Sequence, residues 1–198
     1  MQKILPPNTI LIPDKATRVF KGEVFDIYQW PQTLFDGRTK TFEMARRPDT
    51  VQILLVQNEQ IMLVNDTQPD QRTRLHVPHG KADESDDSWL SAAKRELREE
   101  TGVVCEHWRL ISVEQPLPRL EWFAPLYLAY GITEEHPQQL DPGGEQIEVL
   151  WKSFDDVRAF VLSETQNTMS YMMPLFSRVK TIKELMALPA FTGQEIDR

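Results

Sequence analysis

The sequence predicts an α/β fold, a sandwich of mixed strands with helices packed on it, preceded by a small N-terminal antiparallel β-meander. Three observations predict it. Two apolar runs, 51–56 and 61–64, are separated by a turn at Asn58-Glu59 and read as central strands. A helix over 88–101 is closed by Gly102 just past its end. A strand over 145–153 runs into a second helix over 154–162, which Ser153 caps. Strands with helices before and after them bury their two faces most simply as a layered sandwich.

The elements follow in order. Residues 18–30 are rich in Val, Phe, Ile, Tyr and Trp, Asp36-Gly37 is a hairpin signal, and 40–47 is the return strand. Pro48-Asp49 then punctuates, which divides the chain into an N-terminal arm over 1–48 and a main domain over 49–198. The arm is too small to bury its own core and must lean on the main body or on a second subunit. After the two central strands, 65–73 reads as polar loop, Leu75-His76-Val77 as a short strand stopped by Pro78, and 79–87 as an acidic loop with Gly80. Strands are expected over 109–113 and 125–132, and a loop over Asp141-Pro142-Gly143-Gly144 precedes 145–153. A last amphipathic helix is expected over 174–188, with Leu175, Val179, Ile182 and Leu185 as its inner stripe.

Composition narrows the function. The chain has 198 residues, 40% hydrophobic and 26% charged, as in ordinary globular proteins. A net charge of −8 argues against a nucleic-acid polymer as partner, because that binding uses many Lys and Arg contacts to phosphate. The single cysteine, Cys105, allows neither an internal disulfide nor a thiolate zinc cage, and reads as a buried small residue. No apolar run reaches the roughly 18 residues that span a bilayer, and the start lacks the apolar core of a signal peptide. A cytoplasmic location is the expectation.

The helix over 88–101 carries the chemistry. On a wheel centred on Glu96, Leu90, Ala93 and Leu97 form the buried stripe, and Ser91, Lys94, Arg95 and Arg98 fall on the solvent side. Glu96, Glu99 and Glu100 fall on the remaining side, and Glu100 borders the apolar stripe. Three carboxylates near a core repel one another and resist desolvation. A hard divalent cation removes that conflict, although most charged helices of this composition are solvated faces.

The wider pattern favours the cation. Arg95-Glu96-Leu97-x-Glu99-Glu100-x-Gly102-Val103 is preceded, across seven intervening residues, by Asp87 and further back by Gly80. This resembles the Nudix box, with Asp87 or Asp86 in place of its first Glu and one extra residue after Gly80. The resemblance implies an α/β/α sandwich and a hydrolase that splits a nucleoside diphosphate linked to another moiety. It implies that Glu96, Glu99, Glu100 and the backbone carbonyl of His79 hold Mg²⁺ (or Mn²⁺). It places Glu99 and Arg95, which orients a carboxylate, among the catalytic groups, and Gly80 beside the substrate.

The arm, Arg46-Arg47-Pro48-Asp49 and the Pro-Gly-Gly-Glu loop are similar to those of ADP-ribose pyrophosphatases. That branch implies a homodimer built on residues 18–47, a phosphate facing Arg46 or Arg47, and Phe25, Tyr28 or Trp30 stacked on adenine. Plain packing is the simpler reading for any one of these aromatics. It also implies that Glu145, in the loop, accepts the proton of the attacking water, with Glu148, Glu134 and Glu135 as further options; the plain alternative is an exposed loop acid. At His76 many relatives carry an acid. Two competing functions stand beside ADP-ribose hydrolysis: a house-cleaning or dinucleoside polyphosphate hydrolase, and a non-catalytic nucleotide sensor, which usually loses the box carboxylates. His76 and His79 could suggest a zinc pair, but with no further ligand nearby in sequence they read as loop hydrogen-bonding groups.

Overall fold

The computed structural model describes residues 2–69, 73–140, 144–163 and 168–197. The N-terminal third holds β1 (Gln2–Leu5), β2 (Thr17–Lys21), β3 (Asp26–Thr33) and β4 (Thr39–Arg46). The middle holds β5 (Thr50–Gln57), β6 (Gln60–Thr67), β7 (Arg74–His76), β8 (His79–Lys81), α1 (Trp89–Thr101), β9 (Val103–Glu114), β10 (Leu120–Glu121) and β11 (Ala124–Glu135). The end holds β12 (Gln146–Ser153), α2 (Phe154–Val161), α3 (Met173–Arg178), α4 (Ile182–Met186) and β13 (Gln194–Asp197).

A seven-stranded mixed sheet, ordered β12-β6-β5-β11-β9 with β7 on β6 and β8 on β5, forms the central layer. Period-two alternation sends its side chains to opposite faces. Ile53, Leu55, Tyr127 and Ala129 pack under α1 with Ala92, Ala93 and Leu97. Leu54, Val56, Leu126 and Leu128 pack against α2, α3 and α4 through Val157, Val161, Phe176 and Leu185. The molecule is thus an α/β/α sandwich. Strands β5 and β11 run parallel, and the other pairs of this sheet are antiparallel.

The centre of the sheet positions the site. Strands β5 and β6 pair only next to their tight turn, at Val56–Ile61 and Gln57–Gln60. Asn58 and Glu59 in that turn have φ of 48° and 62°, as a primed hairpin turn requires. Beyond it the strands part, β8 takes over the pairing of β5 and β7 that of β6. The polar loop expected to begin at residue 65 therefore starts later, because β6 continues to Thr67, and the expected loop from residue 79 begins as β8. Strands β9 and β11 are also longer at both ends than 109–113 and 125–132, since they pair with each other along almost their whole length.

The arm expected over 1–48 is not one body. Strand β1 pairs with β13, and Leu5 lies in the core beneath α1. Strands β2, β3 and β4 form the meander, and β10, from the main domain, joins its edge parallel to β4. Its own core is only Ile12, Trp30 and Met44 with partly buried neighbours. The single helix expected over 174–188 is two. Val179 adopts an extended conformation (φ −87°, ψ 122°), and the Thr181 hydroxyl accepts from Glu184 N to start α4. Arg158 Nε donates to the carbonyls of Phe176 and Val179 left open by the break. The apolar spacing was right, with Val179 and Leu185 buried, but a capping threonine beside β-branched residues allows an interruption that spacing does not reveal.

Candidate active site

Helix α1 begins with a reciprocal cap: Ser91 N donates to Ser88 Oγ, and Ser88 N donates to Ser91 Oγ. It ends at Gly102, which has φ of 75° and whose N–H donates to Arg98 O. A Cβ at Gly102 would overlap His136 O at 1.8 Å, so glycine is required twice over. The inner face of α1 is Trp89, Ala92, Ala93, Leu97, Glu100 and Thr101. Glu100 is thus a carboxylate 6% exposed within a face that carries no other charge.

Arg95 organises the other acids. Its Nη1 donates to Glu96 Oε1 at 2.8 Å and Glu99 Oε2 at 3.0 Å. Nε and Nη2 donate to the Asp86 carboxylate at 3.2 and 2.8 Å, and Nη2 also reaches Lys81 O at 2.8 Å. The wheel placed Arg95 on the open face with Lys94 and Arg98; those two are exposed, but Arg95 curls back, half-buried, because five oxygens lie within reach of its fork. Of the two candidate first acids, Asp86 makes this pair, and Asp87 is exposed.

Burial sets the electrostatics. It pushes the Glu96 carboxyl up to about 7, against the opposing pull of Arg95. It raises Glu100 well above the carboxylate range, opposed by a hydrogen bond from His79 N and reinforced by the charges of Glu96, Glu145 and Asp66. The Arg95 hydrogen bond holds Asp86 low. Burial, with the charges of His76 and Arg47, lowers the His79 imidazole to about 3.

The fit to a cation can be read from these contacts. Among the described residues, no three acidic, histidine or cysteine side chains already meet around one point. Glu96 and Glu99 converge on Arg95 Nη1 instead, and Glu100 Oε2 accepts from His79 N at 3.1 Å. Yet Glu96 and Glu100 are carboxylates whose ionised forms burial opposes, and hard oxygen donors in that condition suit a divalent cation. Gly80 adds space: a Cβ there would lie 2.0 to 2.4 Å from the Glu96 carboxylate atoms, so only glycine leaves Glu96 where it is.

A cleft of about 820 Å³ opens between the meander and the loop before α1, with Arg46, Arg47, Lys3, Lys21 and Lys81 among its cations. The two adjacent arginines differ. Arg46 pairs with buried Glu121 at 2.7 Å, donates to Tyr28 Oη at 3.2 Å and lies over the Tyr28 ring. Arg47 lies between the rings of Trp122 and Phe25, at 4.8 and 5.8 Å, and its Nε is buried without a hydrogen-bond partner. Trp30 is 7% exposed against Met44 and Ile12, so its ring is used in packing and presents no face for a base. Tyr28 is half-buried beneath Arg46. Reading the sequence missed Trp122 and Lys3. Lys3 pairs with buried Asp49 at 2.7 Å, and Asp49 also accepts from Trp89 Nε1 and Phe123 N. No local signal marks either one, because β1 and β10 are short and pair far along the chain.

Glu145 Oε2 accepts from Gln68 Nε2 at 3.2 Å and is near enough to Glu100 to raise its pKa. Asp141, Pro142 and Gly143 lie outside the described residues, whereas Gly144 and Glu145 line a smaller cleft of about 240 Å³ with Thr67 and Gln68. Of the further acids considered, Glu148 accepts from Asn65 and Glu134 contacts His136, at the surface.

The sequence profile of the NUDIX domain matches residues 46–176, more than half of the chain. The chain is 27% identical over 165 residues to the methanol dehydrogenase activator of Bacillus methanolicus, covering 81% of this chain and 86% of that protein. It is 28% identical over 150 residues to the ADP-ribose pyrophosphatase of Bacillus subtilis (strain 168), covering 74% of this chain and 80% of that protein. The crystal structure of an ADP compounds hydrolase superposes with a TM-score of 0.55 at 15% identity, covering 94% of this chain and 92% of the other. A Nudix hydrolase from Nitrosomonas europaea superposes with a TM-score of 0.53 at 21% identity, covering 73% and 92%. Both structures share the fold.

Proposed function

The chain belongs to the Nudix family, and on that premise we propose that it hydrolyses the pyrophosphate bond of ADP-ribose or a related nucleoside diphosphate sugar. The observation that carries the reading is the burial of Glu96 and Glu100 beside Gly80, which leaves two carboxylates in need of a cation next to an arginine-lined cleft. Glu96, Glu99, Glu100 and the carbonyl of His79 would hold Mg²⁺ (or Mn²⁺). When bound, such a cation acidifies a water and offsets charge on the phosphate oxygens.

The chain's own groups do the rest. Arg95 keeps Glu96 and Glu99 on one side of α1 and, on this reading, gives them up to the cation in part while staying on Asp86. Arg47, which makes no ion pair among the described residues, presents its guanidinium to a substrate phosphate. Arg46, tied to Glu121, shapes the cleft wall with Tyr28. A water oxygen attacks one phosphorus, the bridging P–O bond breaks, and Glu145 takes up the water's proton. The products are a nucleoside monophosphate and a sugar phosphate. The protein acts in the cytoplasm as a homodimer joined through the meander.

The test is a competition assay with Mg²⁺. ADP-ribose is expected to give AMP and ribose 5-phosphate with a higher kcat/KM than any nucleoside triphosphate or dinucleoside polyphosphate. A clear preference for ATP, 8-oxo-dGTP or diadenosine polyphosphates overturns the substrate assignment while leaving the hydrolase standing.

A further inference from the structure

Arg47 lies in an acidic cleft and pairs with none of its acids. Glu23, Glu84 and Asp87 are among the lining groups, yet the Arg47 side chain makes no ion pair or hydrogen bond among the described residues. Arg46 beside it is taken up by Glu121 and Tyr28. A long, loose guanidinium in such a cleft tends to close on a carboxylate, because charge-assisted hydrogen bonds are strong. Something other than an acid therefore holds Arg47 in place.

Two rings do so. The guanidinium carbon lies 4.8 Å from the centre of the Trp122 ring and 5.8 Å from that of Phe25, and both distances are within reach of cation–ring attraction. An aromatic face draws the cation without taking up its N–H groups as a carboxylate does, so the donors stay available. Nε is enclosed there without a partner, and it is the only side-chain nitrogen of Arg47 so enclosed. The terminal nitrogens are left to the cleft that the residue lines.

The fold places Trp122 for this contact. Strand β10 runs parallel to β4 with Glu121 opposite Arg46, and Arg47 N donates to Glu121 O at 3.3 Å, so the next residue along, Trp122, falls beside Arg47. The indole is fixed in turn, because its Nε1 donates to Thr50 Oγ1 at 3.0 Å and Thr50 is buried. Phe25 is 43% exposed, so Trp122 is the fixed wall and Phe25 the open one. We propose that Trp122 is a positioning residue, which holds Arg47 off the neighbouring carboxylates and keeps its guanidinium unpaired for a phosphate oxygen of the substrate. The inference deepens the hydrolytic reading and rests on its placing of a phosphate at Arg47, not on the identity of the sugar. Trp122 itself touches no substrate and acts only through Arg47.

A double-mutant cycle with ADP-ribose and Mg²⁺ tests this. Trp122→Leu should raise KM about five- to tenfold with kcat within about twofold of the parent. Trp122→Phe, which keeps a ring, should recover most of the loss. In the Arg47→Ala background Trp122→Leu should add nothing. An unchanged KM in Trp122→Leu, or an effect that persists at full size without Arg47, overturns the proposal. Should Trp122→Leu not fold, Thr50→Val frees the indole and carries the same cycle, with a KM rise of about threefold that vanishes in Arg47→Ala. A second measurement needs no turnover. The Nε–H resonance of Arg47 in the full chain should shift when inorganic pyrophosphate is added with Mg²⁺, and Trp122→Leu should need about five- to tenfold more pyrophosphate for the same shift; a signal that stays still in the parent overturns the proposal. The two readings fail differently. A chain that cleaves no ADP-ribose but shows this dependence on Trp122 loses its substrate assignment and keeps the positioning role. A chain that cleaves ADP-ribose with KM unchanged in Trp122→Leu does the reverse.

Discussion

The segment from His79 to Gly102 and the meander β2–β4 handle exposure in opposite ways. In the first, charge lies inside: Glu96, Glu99 and Asp86 are gathered on one guanidinium, Glu100 is buried, and glycines at 80 and 102 let other groups approach. In the second, apolar surface lies outside: every residue of β2 is exposed, and Val19, Phe20 and Phe25 stand 52%, 58% and 43% open. The box holds its geometry through contacts within itself. The meander, with only Trp30 and Met44 as buried apolar side chains of its own, is a surface in need of a cover.

The largest expected effect tests the box. Glu96→Gln and Glu100→Gln should each lower kcat by at least about 10²-fold, since each removes a charged ligand from a site that stabilises transition-state charge. Normal turnover in both with Mg²⁺ would refute the site. Stability should move the other way. The folded Glu96 carboxyl titrates near 7 and the unfolded one near 4.5, so the folded state binds more protons between these values. The metal-free protein should therefore lose stability as pH rises from about 4.5 to 7, by up to about 3 kcal/mol. Glu96→Gln should flatten that slope in melts recorded with chelator; an unchanged slope assigns the effect elsewhere.

Glu145→Gln comes next. It should cut kcat by about 10- to 100-fold, with Mg²⁺ affinity unchanged and the acidic limb of the pH–rate profile gone. A kcat within a few-fold of the parent would mean that another group takes the proton. The two arginines sharpen the contrast where the regions meet. Arg47→Ala should raise KM about tenfold, the effect of one charge-assisted contact, with little change in melting temperature. Arg46→Ala should instead cost about 1–3 kcal/mol of stability by leaving buried Glu121 short of its partner. If the two variants behave alike in KM and in melting, the division of roles fails. The smallest effect belongs to the meander. The parent should scatter light as a dimer at micromolar concentration, and Val19→Asp with Phe20→Asp should yield a folded monomer; a monomeric parent rules the assembly out.

What the sequence revealed follows the range of the forces involved. The start of α1 near Ser88, the stop at Gly102, the Asn58-Glu59 turn and the apolar runs of β5 and β6 are local, and all were legible. So was the box, because its spacing is fixed within a single loop and helix. Strands β1, β13 and β10 were not, since each is short and exists only through a partner far along the chain. Arg95 was misplaced for a related reason: the wheel gives the direction of a Cβ, but a long side chain goes where its hydrogen bonds are. Trp30 was offered as a stacking surface on a resemblance and its residue type, and neither shows which face of a strand is covered.

The carbonyls at the end of α1 are claimed by the segment that follows β11. His136 N donates to Gly102 O, Gln139 N to Glu99 O, and Gln138 Nε2 to Glu100 O. Those bonds fasten the start of the connection to α1. Residues 136–139 are a hem sewn to the helix that carries the box, and alterations of length there would tug on Glu99 and Glu100.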